Sequence, residues 1–186
     1  WMYTAVMTIE LLPIRANGLI DNVEPSASAE LAQILPEILK NYSREGYAEP
    51  WIAYATLNDG IVVGTCAFKA PPSDGHVEIA YFTFPQFENH GYATQMAQCL
   101  VQIAQDTDDS LRIIARTMPI DGPSASVLRK NHFVQTGEVL HPEDGLVWEW
   151  VHDFNSSMIV GDSRGDGSME RKLFCGAGSL LAADVS

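Results

Sequence analysis

Apolar and polar positions along this chain of 186 residues repeat with two different periods, and the switches between them mark the elements. Ile9 to Ile14 is a short apolar run that predicts a first strand. From Ser28 to Tyr42, Leu31, Ile34, Leu35, Ile38 and Leu39 recur at helical spacing, so one helical face is predicted there. Pro36 lies inside that segment and predicts a kink or a division into two short helices. Trp51 to Leu57 and Ile61 to Ala70 are β-rich runs joined through Asn58-Asp59-Gly60, a hairpin signal. His76 to Phe84 reads as a further strand, and Gly91 to Gln105 as an amphipathic helix with Ala93, Met96, Ala97, Leu100, Ile103 and Ala104 on one stripe. Leu111–Thr117 reads as a strand, Ser124–Asn131 as a short helix, and Phe133–Val139 and Leu146–Val151 as strands. The order β, αα, β, β, β, α, β, α, β, β predicts an α/β or α+β fold. It has a single mixed, mostly antiparallel central sheet of six to seven strands flanked by helices.

The two ends differ in texture from this body. Trp1 is no initiator, so residues 1–7 are expected to be a non-native or disordered extension, residues 8–151 the folded domain, and residues 152–186 an appended or disordered tail rich in Ser, Gly and Asp. With 46% hydrophobic and 19% charged residues the chain is too apolar to be disordered throughout. The formal charge of −13 excludes a protein that binds nucleic acid by neutralising phosphates, and residues 1–151 hold 19 of the acids against 8 bases. A neutral or cationic partner suits that balance better. Cys66, Cys99 and Cys175 are odd in number and widely spaced, so neither a disulfide framework nor a metal site is expected, and the compartment reads as cytoplasmic. No apolar run is long enough to span a membrane.

Chemistry concentrates between Val77 and Thr94. A strand runs into a loop, Glu88-Asn89-His90-Gly91-Tyr92-Ala93-Thr94, that opens a long helix. The first turn of a helix has N–H groups without intrahelical partners, and the helix dipole adds about half a positive charge at that end. Gly91 permits close approach of backbone and Ala93 keeps the first turn narrow, so a phosphate group fits in front of it.

These residues resemble the acetyl-CoA loop of the GCN5-related N-acetyltransferases, Arg/Gln-x-x-Gly-x-Gly/Ala after a strand ending in x-Pro. A second motif of that family, Asn-x-x-Ser…Val-Leu-x-Lys-x-Gly-Phe, is matched by Asp121-Gly122-Pro123-Ser124-Ala125-Ser126-Val127-Leu128-Arg129-Lys130-Asn131-His132-Phe133. Residues 8 to 151 carry the likeness, which is greatest to the branch of ribosomal-protein N-terminal acetyltransferases. The resemblance implies transfer of an acetyl group from acetyl-CoA, as cosubstrate and without a metal, to a primary amine. The acceptor would be a protein or peptide N-terminus or a small molecule, and a homodimer is possible within the family. It further implies that the strands beside the site splay at a bulge before the loop, and that the pantetheine pairs with backbone at Tyr81, Phe82 and Thr83. Glu88, Asn89, His90, Gly91, Tyr92, Ala93 and Thr94 would surround the pyrophosphate, with Lys130 near the cofactor. The departures are Glu88 for Arg/Gln, Asn89-His90 for Gly-Lys or Gly-Arg, and His132 for Gly, so binding at the loop leans on backbone amides.

An alkyl ammonium must lose a proton before it attacks a thioester, which a carboxylate can accept directly or through water. Glu78 is the candidate base, set in an otherwise apolar strand whose burial would make it a better proton acceptor. Many family members place a tyrosine where this chain has Leu128, so the proton for the departing thiolate falls to Ser124, a nearby tyrosine or water; Ser124 and Asp121 read equally as helix-capping residues. Leu128 and Glu88 also leave open a second function, a non-catalytic acyl-CoA-binding module that kept the fold.

Overall fold

The hairpin signalled by Asn58-Asp59-Gly60 closes on Asp59 and Gly60, both at positive φ (48° and 76°), so that Asn58 pairs directly with Ile61. Two consecutive residues of that conformation give the turn the hand that matches strand twist. The hairpin belongs to a computed structural model that describes residues 8–24 and 26–154, together with the backbone of residues 173–175. Its elements are β1 (Ile9–Pro13), α1 (Ala29–Glu45), β2 (Ala53–Asn58), β3 (Ile61–Phe68), β4 (His76–Thr83), α2 (Tyr92–Thr107), β5 (Arg112–Thr117), α3 (Pro123–Lys130), β6 (Phe133–His141), β7 (Gly145–His152) and β8 (Leu173–Cys175). The expectations for residues 1–7 and for most of residues 152–186 fall outside the described residues. Within them, β7 runs on to His152, and Phe154 packs against the core.

The strands form one sheet in the order β6-β7-β5-β4-β3-β2-β1-β8. Every adjacent pair is antiparallel except β4 and β5. The predicted mixed, mostly antiparallel sheet therefore stands, with seven strands from the body of the chain and a short eighth paired to β1.

Pro36 does not divide the first helix. Ala29–Glu45 is continuous, begun by Ser28, whose Oγ accepts from the Leu31 amide at 2.9 Å. A proline costs an interior helix one hydrogen bond and a clash. The buried side chains of Leu31, Leu35 and Tyr42, each worth roughly 1.5–3 kcal/mol of apolar burial, hold the segment to the sheet on both sides of it. Tyr42 adds a polar clamp: its hydroxyl donates to the Ile14 carbonyl (2.8 Å) and accepts from the Ala53 amide (2.9 Å). Burial pushes its phenol up to about 12.

Helix α2 realises its predicted stripe, burying Met96, Ala97, Leu100, Ile103 and Ala104 against β3 and β4. The approach is close at Gly64 of β3, where a Cβ would stand 2.3 Å from the Phe82 carbonyl oxygen and 2.7 Å from Met96 Cε. Only a residue without a side chain lets β4 lie under α2 there, and β4 carries the site.

Candidate active site

Strand β4 changes partners along its length. His76, Val77 and Glu78 pair in parallel with Arg112, Ile113 and Ile114 of β5, whereas Ile79 to Thr83 pair with Phe68 to Gly64 of β3. Past Ile114, β5 turns to β7 and its pairing with β4 ends. The two strands thus part at Glu78 and enclose a cleft of about 330 Å³ lined by Lys69, Glu78, Tyr81, Arg116, Ser124 and Leu128, among others. The bulge implied by the family resemblance is absent: the β3–β4 register is unbroken from Gly64 to Phe68, and the strands part through this exchange of partners instead.

The alternation of an antiparallel ladder decides which backbone groups face the cleft. Lys69 N donates to Glu78 O (2.9 Å) and Phe84 N donates to Val63 O (2.9 Å), so the even-numbered residues of β4 turn their backbone groups toward β3. Ile79, Tyr81 and Thr83 turn theirs toward the side from which β5 has parted. The backbone groups of Tyr81 and Thr83 are therefore on the open side of β4, whereas the amide and carbonyl of Phe82 face the β3 ladder. Thr83 Oγ1 is buried and has no hydrogen-bond partner among the described residues.

After β4, a single 3-10 turn (Pro85–Phe87) leads into the loop. Asn89 and Gly91 take positive φ (62° and 84°), and Gly91 caps α2 in the left-handed conformation. The Gln95 amide makes the first intrahelical bond, to Gly91 O at 3.2 Å, so the amides of Tyr92, Ala93 and Thr94 precede the helical ladder. They are the donors a pyrophosphate needs, and the residues present fit acetyl-CoA in that sense. No lysine or arginine stands in the loop, and Glu88 and Asn89 are exposed. His90 turns back on the loop: Nδ1 lies 2.7 Å from Glu88 O and 3.1 Å from Phe87 O, and the ring stacks on Tyr92. It holds the turn in shape. Tyr92 is buried, its hydroxyl accepting from Asn58 Nδ2 at 3.0 Å.

Glu78 does sit in the cleft, but not in apolar surroundings. Arg116 Nη1 lies 2.5 Å from its Oε2 and Lys69 Nζ 3.3 Å from its Oε1, while Arg116 Nη2 reaches Glu149 Oε2 on β7 at 2.9 Å. The side chains of Glu78, Glu149 and Arg116 are 13%, 23% and 26% exposed, so this ladder of alternating charge is largely withdrawn from solvent. The sequence reading missed Arg116, Lys69 and Glu149. The available signal was a lone charge after each apolar run, Arg116 following Ile113-Ile114-Ala115 and Lys69 following Ile61–Phe68.

Ser124 is not the cap of α3. Gly122 takes that position and Pro123, with its fixed φ, the first helical one; Asp121 instead pairs with Arg129 at 2.6 Å. Ser124 is exposed at the cleft, and its carbonyl accepts from Tyr81 Oη at 3.1 Å. Burial pushes the Tyr81 phenol up, so it stays protonated at neutral pH. Lys130 is exposed in the last turn of α3 and is not among the cleft residues, and Leu128 is fully buried against the cleft. His132 adopts the left-handed turn (φ 62°) that a glycine would take without strain, and its carbonyl accepts from the Asp153 amide at 2.9 Å. The turn survives the substitution.

Residues 19–134, more than half of the chain, match the family model described as an acetyltransferase (GNAT) domain. No curated protein matches the sequence. Among solved structures, the chain is similar to RimL, the ribosomal L7/L12 α-N-protein acetyltransferase in complex with coenzyme A. That match has 22% identity and a TM-score of 0.53, covering 66% of this chain and 71% of that one. It is similar as well to an acetyltransferase of Salmonella typhimurium that modifies the N-terminal serine of L7/L12 (22%, TM-score 0.53, 66% and 73% covered). A third likeness is to the microcin C7 self-immunity acetyltransferase MccE with acetyl-CoA and AMP (14%, TM-score 0.52, 66% and 69% covered). At these identities the likeness is one of fold. The family match supplies the rest: the chain belongs to the GNAT acetyltransferases, enzymes that move an acetyl group from acetyl-CoA to an amine.

Proposed function

We propose that the acceptor is the α-amine of a peptide or protein N-terminus, received in the cleft between β4 and β5 with Glu78 as the proton acceptor. One observation carries the reading: Glu78 stands where the two strands part, and the same strand leads on to the free amides at the start of α2. Acetyl-CoA, when bound, supplies the activated acyl group as a thioester. Tyr92, Ala93 and Thr94 bind its pyrophosphate through their amides, with Gly91 leaving room and Glu88, Asn89 and His90 shaping the loop. Tyr81 and Thr83 align the pantetheine through backbone groups. Holding both reactants in one cleft recovers much of the entropy cost of bringing them together.

An α-amine, with a pKa of about 8, surrenders its proton more readily than a lysine at about 10.4, and Glu78 takes it directly or through a water. Ser124, lining the cleft, offers its hydroxyl to the departing sulfur, while the O–H of Tyr81 is engaged with the Ser124 carbonyl. The action of RimL and of the Salmonella typhimurium acetyltransferase on L7/L12 supports the choice of acceptor. An odd number of cysteines, with Cys66 and Cys99 buried, supports a reducing, cytoplasmic setting.

Thiol release from acetyl-CoA should be measured over a panel of peptides, each with a free or a blocked N-terminus, for the native protein and Glu78→Gln. Free peptides should turn over and blocked ones should not, and loss of the base should slow turnover about 100-fold. Equal rates with free and blocked peptides, or an unimpaired variant, would overturn the assignment.

A further inference from the structure

Lys69 places a second amine in the cleft. Its backbone is held on both sides, the carbonyl accepting from Asn41 Nδ2 of α1 at 2.7 Å and the amide donating to Glu78 O at 2.9 Å. Its side chain lines the cleft together with Tyr81 and Ser124, and its Nζ lies 3.3 Å from Glu78 Oε1. The side chain is 42% exposed, so it is neither sealed in nor free in solvent. A primary amine beside the carboxylate assigned to take the acceptor's proton stands where an acceptor amine stands.

We propose that Lys69 is an internal acceptor: with acetyl-CoA present and no amine substrate, the protein acetylates its own Lys69 Nζ. The inference rests on the reading of Glu78 as the base. Glu78 takes one proton from the ammonium, and the freed Nζ lone pair attacks the thioester carbonyl carbon. A C–N bond forms and the C–S bond breaks. The sulfur leaves with the bonding pair and is protonated, so the products are acetyl-lysine and the free thiol. Acetylation removes the charge that pairs with Glu78 Oε1 and leaves a neutral amide in the cleft, so the modified protein accepts external amines more slowly.

The full-length protein should be incubated with acetyl-CoA alone and its acetylated lysines mapped by mass spectrometry over time. Lys40 on α1, 74% exposed, measures uncatalysed acetylation of an open lysine. Lys69 should be modified at least tenfold faster than Lys40, at a rate independent of protein concentration, and Glu78→Gln should remove the difference. Lys69→Arg, which keeps a cation beside Glu78, should take up no acetyl group at this position. Modification of Lys69 no faster than of Lys40, a rate that rises with protein concentration, or a rate that persists in Glu78→Gln or in urea would overturn the inference. Peptide acetylation with Lys69 untouched would sink the inference and leave the amine-transfer reading standing. Failure of both peptides and Lys69 to be acetylated would sink the two together.

Discussion

Replacing Arg116 by methionine removes the cation between Glu78 and Glu149 while keeping an unbranched side chain of similar reach. In the native protein the guanidinium bridges the two carboxylates at 2.5 and 2.9 Å, and all three side chains are at most 26% exposed. Taking one partner from a buried ion pair costs 3–5 kcal/mol because the other is left uncompensated. Here the residual exposure and the Lys69 ammonium beside Glu78 reduce this to about 2–3 kcal/mol. With a urea m-value of about 2 kcal/mol/M, the unfolding midpoint should fall by about 1–1.5 M. Tryptophan fluorescence is a suitable probe, since Trp148 and Trp150 flank Glu149 on β7. A second substitution, Glu149→Leu, should restore part of the loss by removing the carboxylate that Arg116 had paired. Arg116→Lys should recover stability better than turnover, because an ammonium cannot span both carboxylates as the planar fork does. A midpoint for Arg116→Met within 0.2 M of native, roughly 0.4 kcal/mol, would refute the view that this ladder holds Glu78 in place.

Other substitutions probe the neighbouring parts of the same design. Gly64→Ala should cost about 1–3 kcal/mol and lower the melting temperature by several degrees, since its Cβ would meet the Phe82 carbonyl at 2.3 Å; an unchanged thermal transition would contradict the close approach of β3 and β4. Gly91→Val should raise KM for acetyl-CoA about tenfold with a smaller effect on kcat, because it strains a left-handed cap (φ 84°) and puts a branched side chain beside the amides proposed to bind phosphate. Steady-state kinetics read this directly, and an unaltered KM would remove the loop from cofactor binding. His152 is buried, and that burial lowers its pKa below the ordinary value of 6.5, so the unfolded chain binds the extra proton first. Its neutral form adds nothing to pH dependence above 6.5, and stability should decline as pH falls from 6.5 toward the lowered value. In His152→Phe that decline should be shallower in urea titrations at pH 7 and pH 5.5, and an equal slope would count against the assignment.

Much of the fold was legible because its elements are amphipathic and separated by turn residues. The Asp59-Gly60 turn, the α2 stripe and the alternation in the sheet follow from periodicity and from residues that tolerate positive φ. Pro36 misled because a local rule about proline takes no account of a helix held to the sheet by Leu31, Leu35 and Tyr42 on either side of it. The missing bulge has a related cause. Which neighbour a strand takes along its length depends on long-range pairing, and the exchange from β5 to β3 at Glu78 leaves no mark on the residues of β4 themselves.

The site divides along the same line. The geometry of its loop was legible because backbone amides at a helix start are fixed by local geometry, and Gly91, Tyr92, Ala93 and Thr94 lie consecutively in the chain. The acidic composition was a poor guide to an anionic cofactor for that reason, since amides and a helix end bind phosphate without lysines. The charge ladder was not legible, because Lys69, Glu78, Arg116 and Glu149 come from four separate segments, and only the sheet order β7-β5-β4-β3 makes them neighbours. Glu78 read alone is a lone carboxylate in an apolar strand. Read with its neighbours, it is a carboxylate held on Oε2 by Arg116 and on Oε1 by Lys69, the more exposed of the two cations. In the proposed reaction an incoming amine therefore competes with Lys69 for one oxygen while Arg116 keeps the other in position, and that competition would tie acceptor binding to the fate of the lysine.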